Sequence, residues 1–266
     1  MTDLFSGTTA LITGASRGIG AAFAHLLAER GAALVLVARD QAALEAVAGR
    51  VRRHGGRVEV LPADLADPAA PATIEREVAA RGMLVDHLIN NAGIGVLGRF
   101  TDAAAERHLR TIDVNLRAPT ELAARFLPGM VARKRGGVLN VASTAAFQGL
   151  AWLPVYSATK AYLLVWNEAV WIGLRGTGVR SCCLCPGPVD TTWFEANQMD
   201  FRPPRGLTQT PHAVARAGLR GYERDRSHVI SGLPFRLLAW STRLAPRWLA
   251  ARMAAGYGKP GLRTQD

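Results

Sequence analysis

The sequence predicts a single-domain α/β protein, a doubly wound parallel sheet of about seven strands with helices on both faces. Three observations lead there. Short apolar runs alternate with longer helical stretches from residue 8 to residue 185. Ala33–Ala38 is apolar at every position rather than at alternate ones, as expected of a strand covered on both faces. The first strand also runs through closely spaced glycines straight into a helix. No Pro/Gly/Ser linker, low-complexity tract or internal repeat interrupts the chain, so residues 1–266 are assigned to one domain.

Residues 8–13 form the first expected strand, and a helix follows from about residue 18 to 30. The second strand, Ala33–Ala38, leads into a helix ending near His54. Residues 58–63 make the third strand. Asp67 and Pro68 then read as a helix N-cap followed by proline at the first helical position. Residues 85–90, 138–142 and 179–185 are further strands separated by helical segments, one of which begins near Tyr156. Parallel neighbours joined in this way require right-handed crossovers.

Apolar residues make up 49% of the 266 and charged residues 20%, which excludes a disordered or collagen-like chain. A chain of this length buries a large core without disulfides. No apolar run reaches the ~18 residues of a membrane-spanning helix. Residues 1–4 contain no basic group, so no secretory signal is expected and the expected location is the cytoplasm. Cys182, Cys183 and Cys185 share one strand, where adjacent side chains point to opposite faces; they are expected as small buried hydrophobes. The histidines lack ligand spacing, and no metal site is expected. The formal net charge is +11, and residues 201–266 carry 12 basic side chains against 3 acidic ones. That excess suits an acidic partner such as a membrane surface, nucleic acid or an anionic substrate, and equally a solvated arginine-rich surface. Nucleic-acid binding rests on charge alone and ranks last.

The turn after the first strand carries Gly14, Ser16, Arg17, Gly18, Ile19 and Gly20. Glycines there permit a tight turn and close approach of backbone to a pyrophosphate, while the helix N-terminus offers free N–H groups and partial positive charge. The second strand ends at Ala38 and Arg39, where an NAD-binding site would place an acidic residue for the ribose 2′-hydroxyl. Arg39, with Arg17 in the glycine turn, instead suits the 2′-phosphate of NADP(H).

Tyr156 and Lys160 are four residues apart at the start of a helix and so share one face. A neighbouring ammonium favours the phenolate and moves a tyrosine toward the useful range for proton transfer. Ser143 ends an apolar strand, and strand carboxyl ends open onto the ligand crevice of such sheets. Its hydroxyl can donate to a carbonyl oxygen.

With this set the chain resembles the short-chain dehydrogenase/reductase family, in its ordinary single-domain, NADP-preferring branch. The resemblance spans about residues 7–190 and rests on several motifs in the right order. These are the glycine turn at 13–20, Asp64, Asn90 to Gly93, Asn115, Ser143, Tyr156 with Lys160, and Pro186 to Thr191. It implies a Rossmann fold and an NADP(H)-dependent oxidoreductase that reduces a carbonyl or oxidises the matching secondary alcohol. Tyr156 would be the general acid or base, Ser143 would polarise the carbonyl, and Lys160 would lower the tyrosine pKa and bind the nicotinamide ribose. Asn115 would hold a water linking Lys160 to solvent. Asp64 would accept from the adenine amino group, with Leu65 beside it; Asn91, Ala92 and Gly93 would line the adenosine ribose. Pro186, Gly187, Val189 and Thr191 would meet the nicotinamide. A homodimer or homotetramer through helices near 112–134 and 155–176 is implied as well. A catalytically idle nucleotide sensor or scaffold, binding a partner through its basic C-terminal half, is the alternative; an intact Ser/Tyr/Lys set argues against it.

The substrate is expected to be apolar. Trp193, Phe194, Met199 and Phe201 fall in a long connection, about residues 191–210, that reads as a substrate lid ending in a basic, proline-rich stretch. Phe147, Leu150, Trp152 and Leu153 are candidates for the opposite wall. In the basic segment 232–262, Leu237, Trp240, Ser241, Leu244 and Trp248 follow helical spacing, with Arg236, Arg243 and Arg247 to another side and Pro246 dividing the run. Such a stripe fits packing onto the domain, the commoner fate, or peripheral contact with a membrane.

Overall fold

A computed structural model describes residues 3–197, 208–244, 246–256 and 259, with Phe194 and Arg243 described in their backbone only. Met199, Phe201 and the basic stretch of the expected lid lie outside the described residues, as do 245, 257–258 and 260–262 of the basic C-terminal segment. The elements run β1 (Thr9–Thr13), α1 (Gly18–Glu29), β2 (Ala33–Ala38), α2 (Gln41–Val51), β3 (Val58–Pro62), α3 (Ala70–Ala80) and β4 (His87–Asn90). They continue with α4 (Ala105–Ile112), α5 (Ala118–Ala132), β5 (Gly137–Val141), α6 (Pro154–Gly173) and β6 (Arg180–Cys185). The chain ends in α7 (Trp193–Ala196), α8 (Pro211–Glu223), β7 (His228–Ile230), α9 (Leu233–Leu244) and α10 (Arg247–Met253).

Among the described residues seven strands form one parallel sheet in the order β3-β2-β1-β4-β5-β6-β7. The chain winds outward from β1 to β3, then returns to the middle at β4. The carboxyl ends of β1 and β4 are therefore the switch point where such sheets open a crevice. Successive strand residues serve opposite faces. Ala10, Ile12, Leu34 and Leu36 pack with Phe23, Leu27, Leu44 and Leu219 under α1, α2 and α8. Leu11, Val35, Val37 and Leu88 pack with Ile74, Leu122 and Met130 under α3 and α5. Burial on both faces is why the strands read as unbroken apolar runs.

The six strands named from the sequence are present with shifts of two residues or less at their ends. The seventh, β7, is three residues long and half-buried, too short to stand out as an apolar run. One cap differs. Asp67 accepts the Ala69 N–H at 2.8 Å in a turn ahead of the helix, and α3 itself starts at Ala70 with Ala69 at its cap. A second turn, Asp67 N–H to Asp64 carbonyl at 2.9 Å, precedes it and delays the helix.

A chain of buried side-chain amides links the sheet to α6. Asn90 donates to Asn140 at 2.9 Å, Asn140 donates to Asn167 on α6 at 2.9 Å, and Ser181 on β6 donates to the same Asn167 oxygen at 2.8 Å. Asn167 in turn donates to the Ser227 carbonyl at 2.7 Å. The three cysteines are free and buried, with Cys182 on one face and Cys183 and Cys185 on the other.

Candidate active site

The glycine turn is held from beneath by β4. Thr13 Oγ1 accepts the N–H groups of Asn91 and Ala92, both at 3.0 Å, and Asn91 Nδ2 donates to the Thr13 and Gly14 carbonyls at 2.9 and 3.2 Å. Gly14 has φ +64°, and a Cβ there would sit 2.9 Å from Ala92 Cα. A Cβ on Gly20 would run into the Gly14 carbonyl oxygen. Only glycine therefore fits at either point. α1 begins at Gly18 with no side-chain cap and no acidic residue in its first turn. Its leading N–H groups are left to an anion.

Arg39, at the end of β2, and Arg17, in the glycine turn ahead of α1, line the cavity, and neither guanidinium has a hydrogen-bonding partner among the described residues. Asp40 lines it too, but its carboxylate accepts the Ala43 N–H at 3.0 Å as the N-cap of α2. Asp64 accepts from Ala66 N–H at 3.1 Å and pairs with Arg110 at 2.6 Å. Desolvation pulls its pKa upward, and the bonds from Arg110 and Ala66 overcome that to leave it below the usual carboxylate range. Arg110 carries no motif that would single it out; it arrives from α4 by tertiary packing.

Ser143 follows β5, and its Oγ accepts the Ala145 N–H at 3.1 Å. Pro154 starts α6, so Tyr156 stands in the first turn and Lys160 one turn on. The Lys160 ammonium donates to the Val141 carbonyl at 2.8 Å and lies 5.6 Å from the centre of the Tyr156 ring. Burial pushes its pKa down to about 8, with Cys183 and Cys185 opposing. Between α4 and α5 the helix widens into a π turn at Asp113–Arg117. Asn115 within it is fully buried, accepts Ile94 N–H at 2.9 Å, and donates to the Ile94 carbonyl at 2.8 Å and Thr159 Oγ1 at 3.1 Å. Those bonds fix the loop after β4 against the second turn of α6.

All of these groups meet along one cavity of about 1330 Å³. Every expected cofactor or catalytic residue lines it except Gly20 and Asn115, which lie behind its wall. Its apolar half contains Leu150, Leu153 and Trp193. The Trp193 indole N–H donates to the Gly93 carbonyl at 2.8 Å, and its ring centre is 5.1 Å from that of Tyr156. Asn197 accepts the Gly95 N–H at 3.0 Å, so the described part of the lid lies across the site. Its base is pinned by a bridge between Val189 and Gln209.

Two expected wall residues face elsewhere. Phe147 packs with Cys183, Cys185 and Ile230, and Trp152 lies beneath the Arg99 guanidinium, 5.7 Å from its ring centre. The segment between Ser143 and Tyr156 turns through a short 3₁₀ helix, Thr144–Phe147, and apolarity alone does not tell which side faces inward. Residues not singled out from the sequence also contribute. Gln148 lines the cavity with its Oε1 buried and unpartnered among the described residues, and Phe235, Leu238 and Met253 join from α9 and α10.

Comparison with known proteins fits this geometry. A family pattern described as short chain dehydrogenase matches residues 8–200. The ketoacyl reductase HetN of Nostoc sp. (strain PCC 7120) is 35% identical over 230 residues, covering 86% of this chain and 80% of the relative. A short-chain dehydrogenase from Sphingobium yanoikuyae, solved in complex with NADPH, superposes with a TM-score of 0.80 at 34% identity, over 89% of this chain and 93% of its own. A family member from Burkholderia phymatum, solved with NAD, gives 0.80 at 25% identity over 91% and 94%.

Proposed function

The chain belongs to the short-chain dehydrogenase family, and from that premise we propose that it is an NADP(H)-dependent enzyme that reduces an apolar carbonyl compound with NADPH or oxidises the matching secondary alcohol with NADP+. The observation that carries this reading is the meeting of Ser143, Tyr156 and Lys160 with the glycine turn, Arg17 and Arg39 in one cavity. The cavity exceeds the ~300–1000 Å³ of ordinary small-ligand pockets, as a dinucleotide plus substrate requires. Solved relatives hold NADPH in one case and NAD in another, so the preference rests on the residues here. Two guanidiniums with no hydrogen-bonding partner among the described residues match a 2′-phosphate dianion, and the carboxylate on that strand end, Asp40, is used as a helix cap.

The N–H groups at the start of α1 would hold the pyrophosphate, and Asp64, Asn91 and Val189 would flank the adenosine and nicotinamide ends. When bound, NADPH supplies the hydride that the carbonyl carbon accepts. Tyr156 donates its phenolic proton to the carbonyl oxygen as negative charge builds there, and Ser143 Oγ donates a hydrogen bond to the same oxygen. The Lys160 ammonium, held beneath the ring, favours the phenolate left behind. Asn115 is a positioning residue that acts through Ile94 and Thr159. Trp193, Leu150 and Leu153 exclude water and receive an apolar body, while Gln148 Oε1 is placed for one donor group on it. HetN, by its name, reduces a ketoacyl group, a carbonyl on an apolar chain of the kind this cavity suits.

The apolar groove between α5 and α6, lined by Leu127, Val131, Trp166 and Val170, with Val165 and Ile172 exposed beside it, supports a homo-oligomer through these helices. The test of function is NADPH oxidation against a panel of ketones, aldehydes and β-ketoacyl thioesters. Activity with at least one apolar member is expected, and Tyr156→Phe should lower its rate about 10²–10⁴-fold while NADPH still binds. An unchanged rate in that variant would refute the assignment.

A further inference from the structure

We propose that α9 and α10 form a docking surface for an anionic lipid bilayer, with the mouth of the substrate cavity set into that surface. Docking does not depend on the hydride-transfer reading; only the delivery of an apolar substrate from the lipid does.

α9 has two opposed stripes. Phe235, Ala239 and Thr242 turn toward the domain, where the Phe235 ring occupies the space a side chain on Gly187 would need. Leu233, Leu237, Trp240 and Leu244 recur at helical spacing on the outer side, with Trp240 72% and Leu244 86% exposed. The apolar stripe expected to pack is thus the one that faces out. Trp248 and Met253 extend it along α10, beyond the break at Pro246. An exposed patch of this kind needs a partner.

Charge identifies the partner. Between Asp225 and Asp266 there is no carboxylate, whereas six arginines and one lysine occur in that stretch. Arg236, Arg247 and Arg252 are exposed on the two helices themselves. Leucine and tryptophan at the centre with arginines around them match the acyl boundary and phosphate layer of an anionic leaflet. A second copy of the same face would bring like charges together, and nucleic acid offers nothing to the leucines. Helices of 12 and 7 residues lie in the interface rather than cross it, and no helix among the described residues is long and apolar enough to span a membrane. Leu238 and Met253 both line the cavity and are exposed, so the apolar interior opens onto this face.

Flotation of the whole protein with phosphatidylcholine vesicles, with or without phosphatidylglycerol, tests this without cofactor or turnover. Binding is expected to the mixed vesicles, weakening with salt. Leu237→Ser/Trp240→Ser/Leu244→Ser should lower the bound fraction about tenfold or more. None of these three side chains lines the cavity, so circular dichroism and reduction of a water-soluble ketone should be unchanged. If that variant misfolds, Arg236→Gln/Arg247→Gln/Arg252→Gln takes its place and should lose the preference for anionic vesicles. No flotation of the wild type, or undiminished flotation of the folded variant, overturns the proposal. So does a fall in oligomer size in the serine variant of a protein that never floats, which would make the face a contact between copies.

Discussion

Lys160 is 3% exposed, yet with a pKa of about 8 it stays a cation behind Tyr156 at neutral pH, its ammonium donating a hydrogen bond to the Val141 carbonyl. The desolvation that lowers its pKa to about 8 also makes its field on the phenol stronger than the same charge would be in water. Its environment comes from β5 and α6 together, and the four-residue spacing to Tyr156 supplies only the shared face. Arg39 is the opposite case, a surface cation whose role follows from position on the strand end. Arg39→Ala should weaken NADPH binding about 10–100-fold, the value of a charged hydrogen bond or two, and leave NADH binding unchanged. Calorimetric titration of both cofactors checks this; an equal loss for the two would remove the 2′-phosphate assignment.

Among the elements, β5 and α6 carry the catalytic groups, and the buried amide chain through Asn140 and Asn167 sets their register. Asn140 lies three residues before Ser143, and Asn167 seven after Lys160, so the same contact that joins strand to helix aligns the two halves of the site. Asn140→Ala would take one hydrogen bond from each of the buried Asn90 and Asn167 amides and leave a cavity between strand and helix. A loss of about 2–3 kcal/mol in urea unfolding is expected, with Ser181→Ala costing about 1 kcal/mol. Equal, near-zero costs would mean that packing alone holds α6. The strands were legible because burial on both faces leaves continuous apolar runs. β7 and the true start of α3 were not: the first is held by pairing with β6, and the second is delayed by a turn whose residues also suit a cap.

At the scale of the molecule, folding couples to acid through His87. Its ring is buried against Phe5 and sits 2.8 Å from the Tyr222 hydroxyl. Burial pushes its pKa from 6.5 down to about 4, with Asp86 opposing and Arg135 and Arg180 adding. The unfolded chain takes up this proton below pH 6.5 and the folded chain only near 4. The contribution is therefore whole above pH 6.5 and is lost as pH falls through that window, by on the order of 3 kcal/mol. Urea midpoints between pH 7 and 4 should show a smaller acid slope in His87→Phe than in the wild type, whatever the variant's absolute stability. The same slope in both would mean that other groups take the proton.

What the residues alone determined is whatever depends on local order: strand and helix periodicity, the glycine turn entering a helix, the Tyr156–Lys160 spacing and the lopsided charge. These are short-range because backbone geometry repeats over two residues in a strand and four in a helix. The three-dimensional arrangement decided the rest. Arg110 and Gln148 reach the cavity, Phe147 and Trp152 turn from it, and the Leu237–Trp240 stripe faces outward, because side-chain direction across a connection is set by which distant element packs against it.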